Sequence, residues 1–557
     1  MRPPLPADPS APPQRGRRHK STAILAAVLA LGLVATACGG TAPTTAKGTA
    51  AASSSATAGS AASTAASPAG NTLVVSQIST GVSLIPAFTT TGEDTEMMNQ
   101  IYDSLLQVKP GTTDQIEPDL ATSYTISPDG KTYTFQLRKG VKWQGGYGDF
   151  TCSDVQFTWN FNKDKANASF WQSEASIVTS VDCPDPYTAV IHLSSPFLGF
   201  VWYLVNLEPS TGWVMSKAAW AKLGKTGYNA TPIGTGPYML KQKVPNSEVV
   251  LVANPDYWGT PPAIKTIDFK VIADAQTAAL AVKTGAVDIA GIDGVTADQY
   301  KSATTAHLVV KPALFTDWLE INTTVPPFNN RLVREAMSYA IDYKGMVTDV
   351  LRGYGTPGYN GMILPGQTGF DASVNPQNTY DPAKAKQLLQ QSGVKLPITG
   401  FFTTYNDTED VNAGQFISAD FQAVGINMQS RPLERGTLVQ ERIKATTPAS
   451  IIGDTLAPDP DALFPLTFIS AGNPPAGLNI ARYSGVDQLY QEQHTTASQS
   501  ARLKLLSQIQ AQMVHDVPAI DLYVGQDIWL VNNRVQNFLP QVLFGGDALD
   551  LVTLSGS

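Results

Sequence analysis

From residue 72 onward the hydrophobic positions keep switching between a short-run period and a helical one. Thr72-Leu73-Val74-Val75 reads as a strand, and from about Thr95 the residues Met97, Met98, Ile101 and Leu105 fall at helical spacing. Ser127-Pro128-Asp129-Gly130 is a turn, because proline presets φ and glycine accepts a positive one. After it Tyr133, Phe135 and Leu137 alternate with Thr132, Thr134 and Gln136, which predicts a half-buried hairpin. Asn330 caps a helix whose apolar stripe is Leu332, Val333, Ala336, Met337, Ala340 and Ile341. Asp381-Pro382 opens another that buries Leu388 and Leu389 and stops at Gly393. Phe416, Ile417, Phe421 and Val424 mark a third, ended by Gly425 before a strand at Ile426-Asn427-Met428; a late helix from Ala501 uses Leu503, Leu506, Ile509 and Met513. The pattern predicts a mixed α/β protein with more than one sheet and no internal repeats.

The first 70 residues follow other rules. Basic Arg15-Gly16-Arg17-Arg18-His19-Lys20 precedes an uncharged run from Ser21 to Ala37, too short for an ordinary membrane span, and then Cys38. Ala35-Thr36-Ala37-Cys38 resembles a bacterial lipobox, with Ala35 where leucine is commoner; the simpler alternative is cleavage near Ala37 without lipid. Arg17-Arg18 leaves the export route open. From Gly39 to about Gly70 the chain is almost entirely Ala, Ser, Thr and Gly, which offers too little to bury and predicts a flexible tether.

Composition narrows the function. A chain of 557 residues with 43% hydrophobic and 15% charged residues has room for about three domains. The formal charge is −8, and because the first 38 residues are net basic, the body is more acidic still. This argues against nucleic acid as a partner. In an exported protein Cys152 and Cys183 are expected to pair, the alternative being two buried thiols.

Enzyme signatures are missing. There is no HExxH, no GxSxG and no metal-spaced Cys/His cluster, and His192, His307, His494 and His515 are mostly far apart in sequence. Gly224-Lys225-Thr226 resembles the end of a phosphate loop, but Ala219 stands where its first glycine belongs. No cofactor is expected. Aromatics make up 9% of the chain, with nine Trp, enough to fill cores and also line a ligand cleft.

Several stretches resemble, in order, the extracytoplasmic solute-binding proteins of family 5, the peptide, oligopeptide and nickel class of ABC importers. They run from Leu120-Ala121-Thr122-Ser123-Tyr124 through Asp129 to Trp143 and Phe150 to Val155, then Pro232-Ile233-Gly234-Thr235-Gly236-Pro237-Tyr238 and Asn254-Pro255-Asp256-Tyr257-Trp258. Gly285-Ala286-Val287-Asp288-Ile289, Arg334-Glu335-Ala336, Ala340-Ile341-Asp342 and Asp516 to Tyr523 complete the series. The resemblance implies a periplasmic-binding-protein type II-like α/β fold, two lobes with a hinge and an extra small inserted domain. The expected division is a signal peptide (1–38), a tether (39–71), a discontinuous lobe I (72–110, 231–313 and 518–557), an inserted domain (111–230) and a further lobe (314–517), with hinges near Leu314 and Pro518. The Gly-Thr-Gly-Pro turn is expected to need glycine's backbone freedom.

The implied function is capture of a peptide-like or other small polar ligand by hinge closure and delivery to an ABC permease, by a monomer lipid-anchored at Cys38 to the outer face of the cytoplasmic membrane. A secreted hydrolase with a dispersed site and a ligand-sensing lipoprotein without transport are the alternatives. In dipeptide-binding relatives an Asp pairs with the ligand's amino group and an Arg with its carboxylate. Gly453-Asp454, ahead of Asp459-Pro460-Asp461, matches the Asp; the stretch aligned with the Arg, Phe402 to Asp410, holds no basic residue. The candidate ligand contacts are Asp454, Gly453, Tyr405, Asn406, Trp318, Thr80 and Gly81. The missing Arg points away from a simple dipeptide, toward a longer peptide held by its backbone, a cation-bearing molecule or a polyol-like compound.

Overall fold

Strand β1 (Thr72–Gln77) extends past the apolar run that announces it. A computed structural model describes residues 70–89, 91–113, 115–207, 212–444, 447–474, 477–541 and 547–555; the signal segment, Cys38 and nearly all of the tether lie outside them. Helix α1 (Gly92–Ile101) starts earlier than its apolar spacing suggests, because Thr91 accepts the Asp94 N–H as its cap and Glu93 and Asp94 suit the positive end of the helix dipole. Leu105 falls beyond its end.

The chain then builds a small domain from β2 (Ala121–Ile126), β3 (Thr132–Leu137), α2 (Cys152–Lys163), β4 (Val178–Asp185) and β5 (Thr188–Leu193), its sheet ordered β2-β3-β5-β4. The hairpin forms as its alternation predicts: Tyr133, Phe135 and Leu137 are buried, and Gly130, at φ +69°, donates its N–H to Ser127 O at 2.8 Å. Cys152 and Cys183 are disulfide-bonded, tying the start of α2 to β4.

The large sheet takes β6 (Tyr238–Val244), β7 (Glu248–Ala253), β8 (Thr266–Val271), helix α3 (Ala275–Thr284) and β9 (Ile289–Gly291) into the first lobe with β1. Gly234 and Gly236 abut the last turn of α1, where the Gly236 N–H donates to Ile101 O at 2.9 Å; any Cβ would collide with that backbone. Close approach, not a positive φ, is what these glycines serve. Strand β10 (Ala306–Ile321) leads to the second lobe: α4 (Arg331–Ala340), α5 (Pro382–Ser392), β11 (Ile398–Tyr405), α6 (Thr408–Val424), β12 (Ile426–Leu433), α7 (Arg435–Ile443), β13 (Ala449–Thr455) and α8 (Gln499–Asp516). Strand β14 (Ala519–Asn532) returns to the first. Gly393 and Gly425 close α5 and α6 at φ +69° and +96°, as helix-ending glycines do.

The order across the large sheet is β12-β11-β13-β10-β14-β9-β1-β8-β7-β6. The long strands β10 and β14 run antiparallel from Ala306 beside Asn532 to Glu320 beside Ala519, so both lobes hang on one paired ribbon. Its register breaks between Pro312 and Thr316, and Leu314 lies in that break. On the other strand Ala519 to Asp521 pair with Glu320 to Trp318 and Gly525 with Gly355, and Trp529 to Val531 pair with β9.

Most of the recognisable motifs hold this frame together. Asp288 is fully buried, accepts the Val74 N–H at 2.8 Å and pairs with Arg534 at 2.7 Å. Arg334 donates to Phe328 O at 2.8 Å and Val517 O at 3.0 Å, docking α4 on the start of β14. Asp459 and Asp461 are both held by Arg502, at 2.6 and 2.9 Å, in a buried cluster.

Candidate functional site

In the first lobe β1 runs parallel to β8 and β9, and in the second β11 runs parallel to β12 and β13. The carboxyl ends of the first lobe's parallel strands and of β13 reach one gap, the place where open α/β sheets take ligands. A cavity of about 460 Å³ opens there, lined from the first lobe by Gln77, Ile78 and Ile292, from the second by Phe315 and Thr455, and from the ribbon by Trp529.

Asp454 stands next to the end of β13, opposite Thr316 of β10, with its Oδ1 accepting the Thr455 N–H at 2.8 Å. It is exposed, yet the surrounding protein raises its carboxyl above the usual range, an effect offset by that N–H and by the charges of Arg442 and Arg435. Gly453 pairs with Asp317, and a side chain there would collide with the Asp317 carboxylate and the Phe315 ring. Tyr405 ends β11 with its ring beneath Arg435, whose guanidinium lies 4.4 Å from the centroid. Asn406 follows, exposed, just before Asp407 caps α6.

Arg435, the first residue of α7, is a cation the sequence reading missed; it comes from the helix after β12 and not from the stretch before α6. Helix α7 is anchored by Arg442, which makes a buried two-point contact with Glu320, at 2.9 and 3.2 Å. Beneath Gly453 lies an acidic network that was also missed: the Tyr523 hydroxyl donates to Asp317 and to Glu409 Oε1, the latter at 3.1 Å. Burial raises the Asp317 carboxyl, the Tyr523 bond opposes it, and Glu409 and Asp407 raise it further.

The other candidates are placed apart from this group. Thr80 is buried and its Oγ1 accepts the Asn246 N–H at 3.3 Å. Gly81, at φ +67°, sits against the Asp94 carboxylate, which holds the Ser83 N–H at 3.0 Å. Both shape the loop between β1 and α1, and the side chains this loop exposes are Ile78 and Val82, at 65% and 69%. Trp318 is 1% exposed, packed against Phe468 at 6.2 Å between centroids. The usable signal for the loop was an Ile and a Val flanking Ser-Thr-Gly, apolar residues that a turn holds in the open.

Residues 115–475 match the family model described as bacterial extracellular solute-binding proteins, family 5 Middle. The chain is 30% identical over 454 residues to the glutathione-binding protein GsiB of Shigella boydii, covering 78% of this chain and 85% of that one. It is 28% identical to the dipeptide-binding protein of Escherichia coli, over 75% and 83% of the two chains. Among solved structures, the periplasmic binding protein DppA of Helicobacter pylori, in complex with the peptide STSA, is 27% identical with a TM-score of 0.70, covering 87% of this chain and 98% of that one. HbpA2 of Haemophilus parasuis is 26% identical with a TM-score of 0.77, covering 87% and 100%.

Proposed function

The chain belongs to the bacterial extracellular solute-binding proteins of family 5, and from that premise we propose that it captures a peptide-like ligand in the cavity between its two lobes and closes around it. Members of this family bind solutes for ABC importers and are not enzymes. The observation that carries the reading is the convergence of the carboxyl ends of β1, β8, β9 and β13 on one cavity whose walls come from both lobes and from the ribbon joining them. A ligand that touches both walls favours the closed state by the difference between its affinities for closed and open forms.

Asp454 takes a positive group of the ligand and Arg435 a negative one, with Tyr405 and Asn406 flanking them. Relatives named for glutathione and dipeptides support a peptide-like ligand. The lobes divide at 111–230 for the inserted domain and near Leu314 on the outgoing strand. The Ala35-Thr36-Ala37-Cys38 sequence and the Ala/Ser/Thr/Gly tract behind it support a lipid-anchored monomer whose body ranges over the membrane face.

Mass spectrometry of the compound that copurifies with the native protein, followed by calorimetry, tests capture. Asp454→Asn is expected to weaken binding of an amino-bearing ligand about tenfold without a change in unfolding midpoint; unchanged affinity removes Asp454 from the site. Incorporation of an alkyne-labelled fatty acid, abolished by Cys38→Ala, tests the anchor.

A further inference from the structure

Helix α1, the ribbon strand β14 and the C-terminal segment each contribute a carboxylate to the lining of the cavity: Glu96, Asp527 and Asp547. Glu93 and Asp293 also line the cavity, and among the described residues its lining includes no Lys, Arg or His. Glu96 is 9% exposed and, among the described residues, its Oε1 has no hydrogen-bond partner. An uncharged group tells the same story: Gln541 is 4% exposed, its Nε2 donates to Val108 O at 3.5 Å, and its Oε1 likewise has no partner among them.

Orphaned acceptors of this kind are costly, because each loses water without gaining a donor. Asp547 is partly served, accepting the Gln541 N–H at 2.9 Å. For Asp527 burial acts unopposed, pushing its carboxyl up to about 7, whereas Glu320 has Arg442, Asp459 has Arg502 and Asp288 has Arg534. The cavity therefore holds a surplus of acceptors and negative charge that the described residues leave unmatched. Its walls also include Val75, Ile272, Phe315 and Trp529, apolar or aromatic side chains suited to the hydrocarbon part of an organic cation, beside polar Ser76, Gln77, Thr455 and Gln526. Among the described residues no three His, Cys, Asp or Glu side chains are placed to hold a metal ion, which disfavours an inorganic one.

We propose that the captured ligand carries an organic cation, a guanidinium or ammonium group, and that this group is seated among Glu96, Asp527, Asp547 and the Gln541 amide oxygen. This rests on the reading of the cavity as the capture site and adds the chemistry of what it captures. A guanidinium brings five N–H donors to a place where Glu96, Asp527, Asp547 and the Gln541 Oε1 offer acceptors.

The test is calorimetric titration of the full exported protein with matched probes, Ala-Arg-Ala against Ala-citrulline-Ala and free arginine against citrulline, which differ in charge and hardly in shape. The arginine member of a pair is expected to bind about tenfold or more tightly at pH 8. That preference shrinks at pH 5, where the acids hold their own protons, and disappears in a Glu96→Gln/Asp527→Asn variant that still binds the citrulline member. Equal affinities in the unmodified protein, or a preference that survives the double substitution, overturn the assignment and leave capture standing. Absence of binding by every probe also overturns it, and capture is then judged by the copurified compound. Should the double variant fail to fold, Asp527→Asn alone is expected to remove most of the preference, and its failure to do so is equally fatal.

Discussion

The unpaired Asp527 makes a prediction about stability that needs no ligand. In the unfolded chain its carboxyl ionises at an ordinary 3.8; in the fold burial alone pushes it up to about 7. The native state thus keeps a proton that the unfolded state has lost, and stability falls as pH rises from about 4 to about 7, with the full penalty standing above that. A gap of about three pH units is worth about 4 kcal/mol, and the view of solvent through the cavity screens roughly half of it, leaving about 2 kcal/mol at pH 8. Asparagine keeps the shape and removes the charge. Asp527→Asn is expected to stabilise the free protein by about 2 kcal/mol at pH 8 and by about 1 kcal/mol or less at pH 5.

Urea unfolding of both proteins at the two pH values, compared at equal m, measures this directly. A variant no more stable than the parent at pH 8 would refute the reasoning, since the carboxylate would then have a partner. So would a gain of the same size at both pH values, which would mean that packing and not charge had changed.

Other outcomes follow from the same contacts. The disulfide closes a loop of 31 residues, so Cys152→Ser/Cys183→Ser is expected to cost about 3 to 4 kcal/mol in thermal or urea unfolding while leaving ligand affinity within a factor of two or so. Arg502→Met leaves Asp459 and Asp461 buried without their cation and should cost about 3 to 5 kcal/mol; Arg502→Lys recovers only part, because one ammonium cannot reproduce three guanidinium contacts. Gly234→Ala drives a methyl into the Ile101 carbonyl and should lower the unfolding midpoint by the equivalent of about 1 to 3 kcal/mol, whereas Gly291→Ala, with open space around it, should cost less than about 1 kcal/mol. Arg435→Ala should weaken binding of a carboxylate-bearing probe more than that of its amide, read by calorimetry.

Local patterns were legible where one side of an element is buried and its ends carry a stop signal. The Ser127–Gly130 hairpin, the Asn330 and Asp381 caps and the Gly393 and Gly425 stops depend only on neighbours in sequence, and the structure contains each of them. Boundaries slipped where polar residues do the work: α1 begins on Thr91, Glu93 and Asp94, and α6 begins on Asp407, ahead of its first large apolar residues. The matching motifs turned out to be frame more than site, since Asp288, Arg334, Asp459 and Asp461 all hold one segment to another far along the chain. The cavity acids could not be read in the same way. Glu96, Asp527 and Asp547 are ordinary polar residues in their local sequence, and only the return of β14 to the first lobe brings them to one cavity.

That difference sharpens what the missing arginine means. The stretch from Phe402 to Asp410 lacks a basic residue and places Asp407 and Glu409 close enough to raise Asp317. Arg435 supplies one positive charge from another helix, near enough that it offsets the rise of both Asp317 and Asp454. Among the described residues Arg435 is thus an exposed cation near Asp454, while the charged residues that line the cavity are acids. A ligand that satisfies both groups carries more positive charge than negative. An ordinary neutral dipeptide answers the first group and leaves the second unpaired, with the desolvation of Glu96 and Asp527 still uncompensated. On the proposed reading, the departure from the dipeptide-binding pattern is a change of charge across the whole cleft, not the loss of one residue, and the net charge of the bound compound decides it.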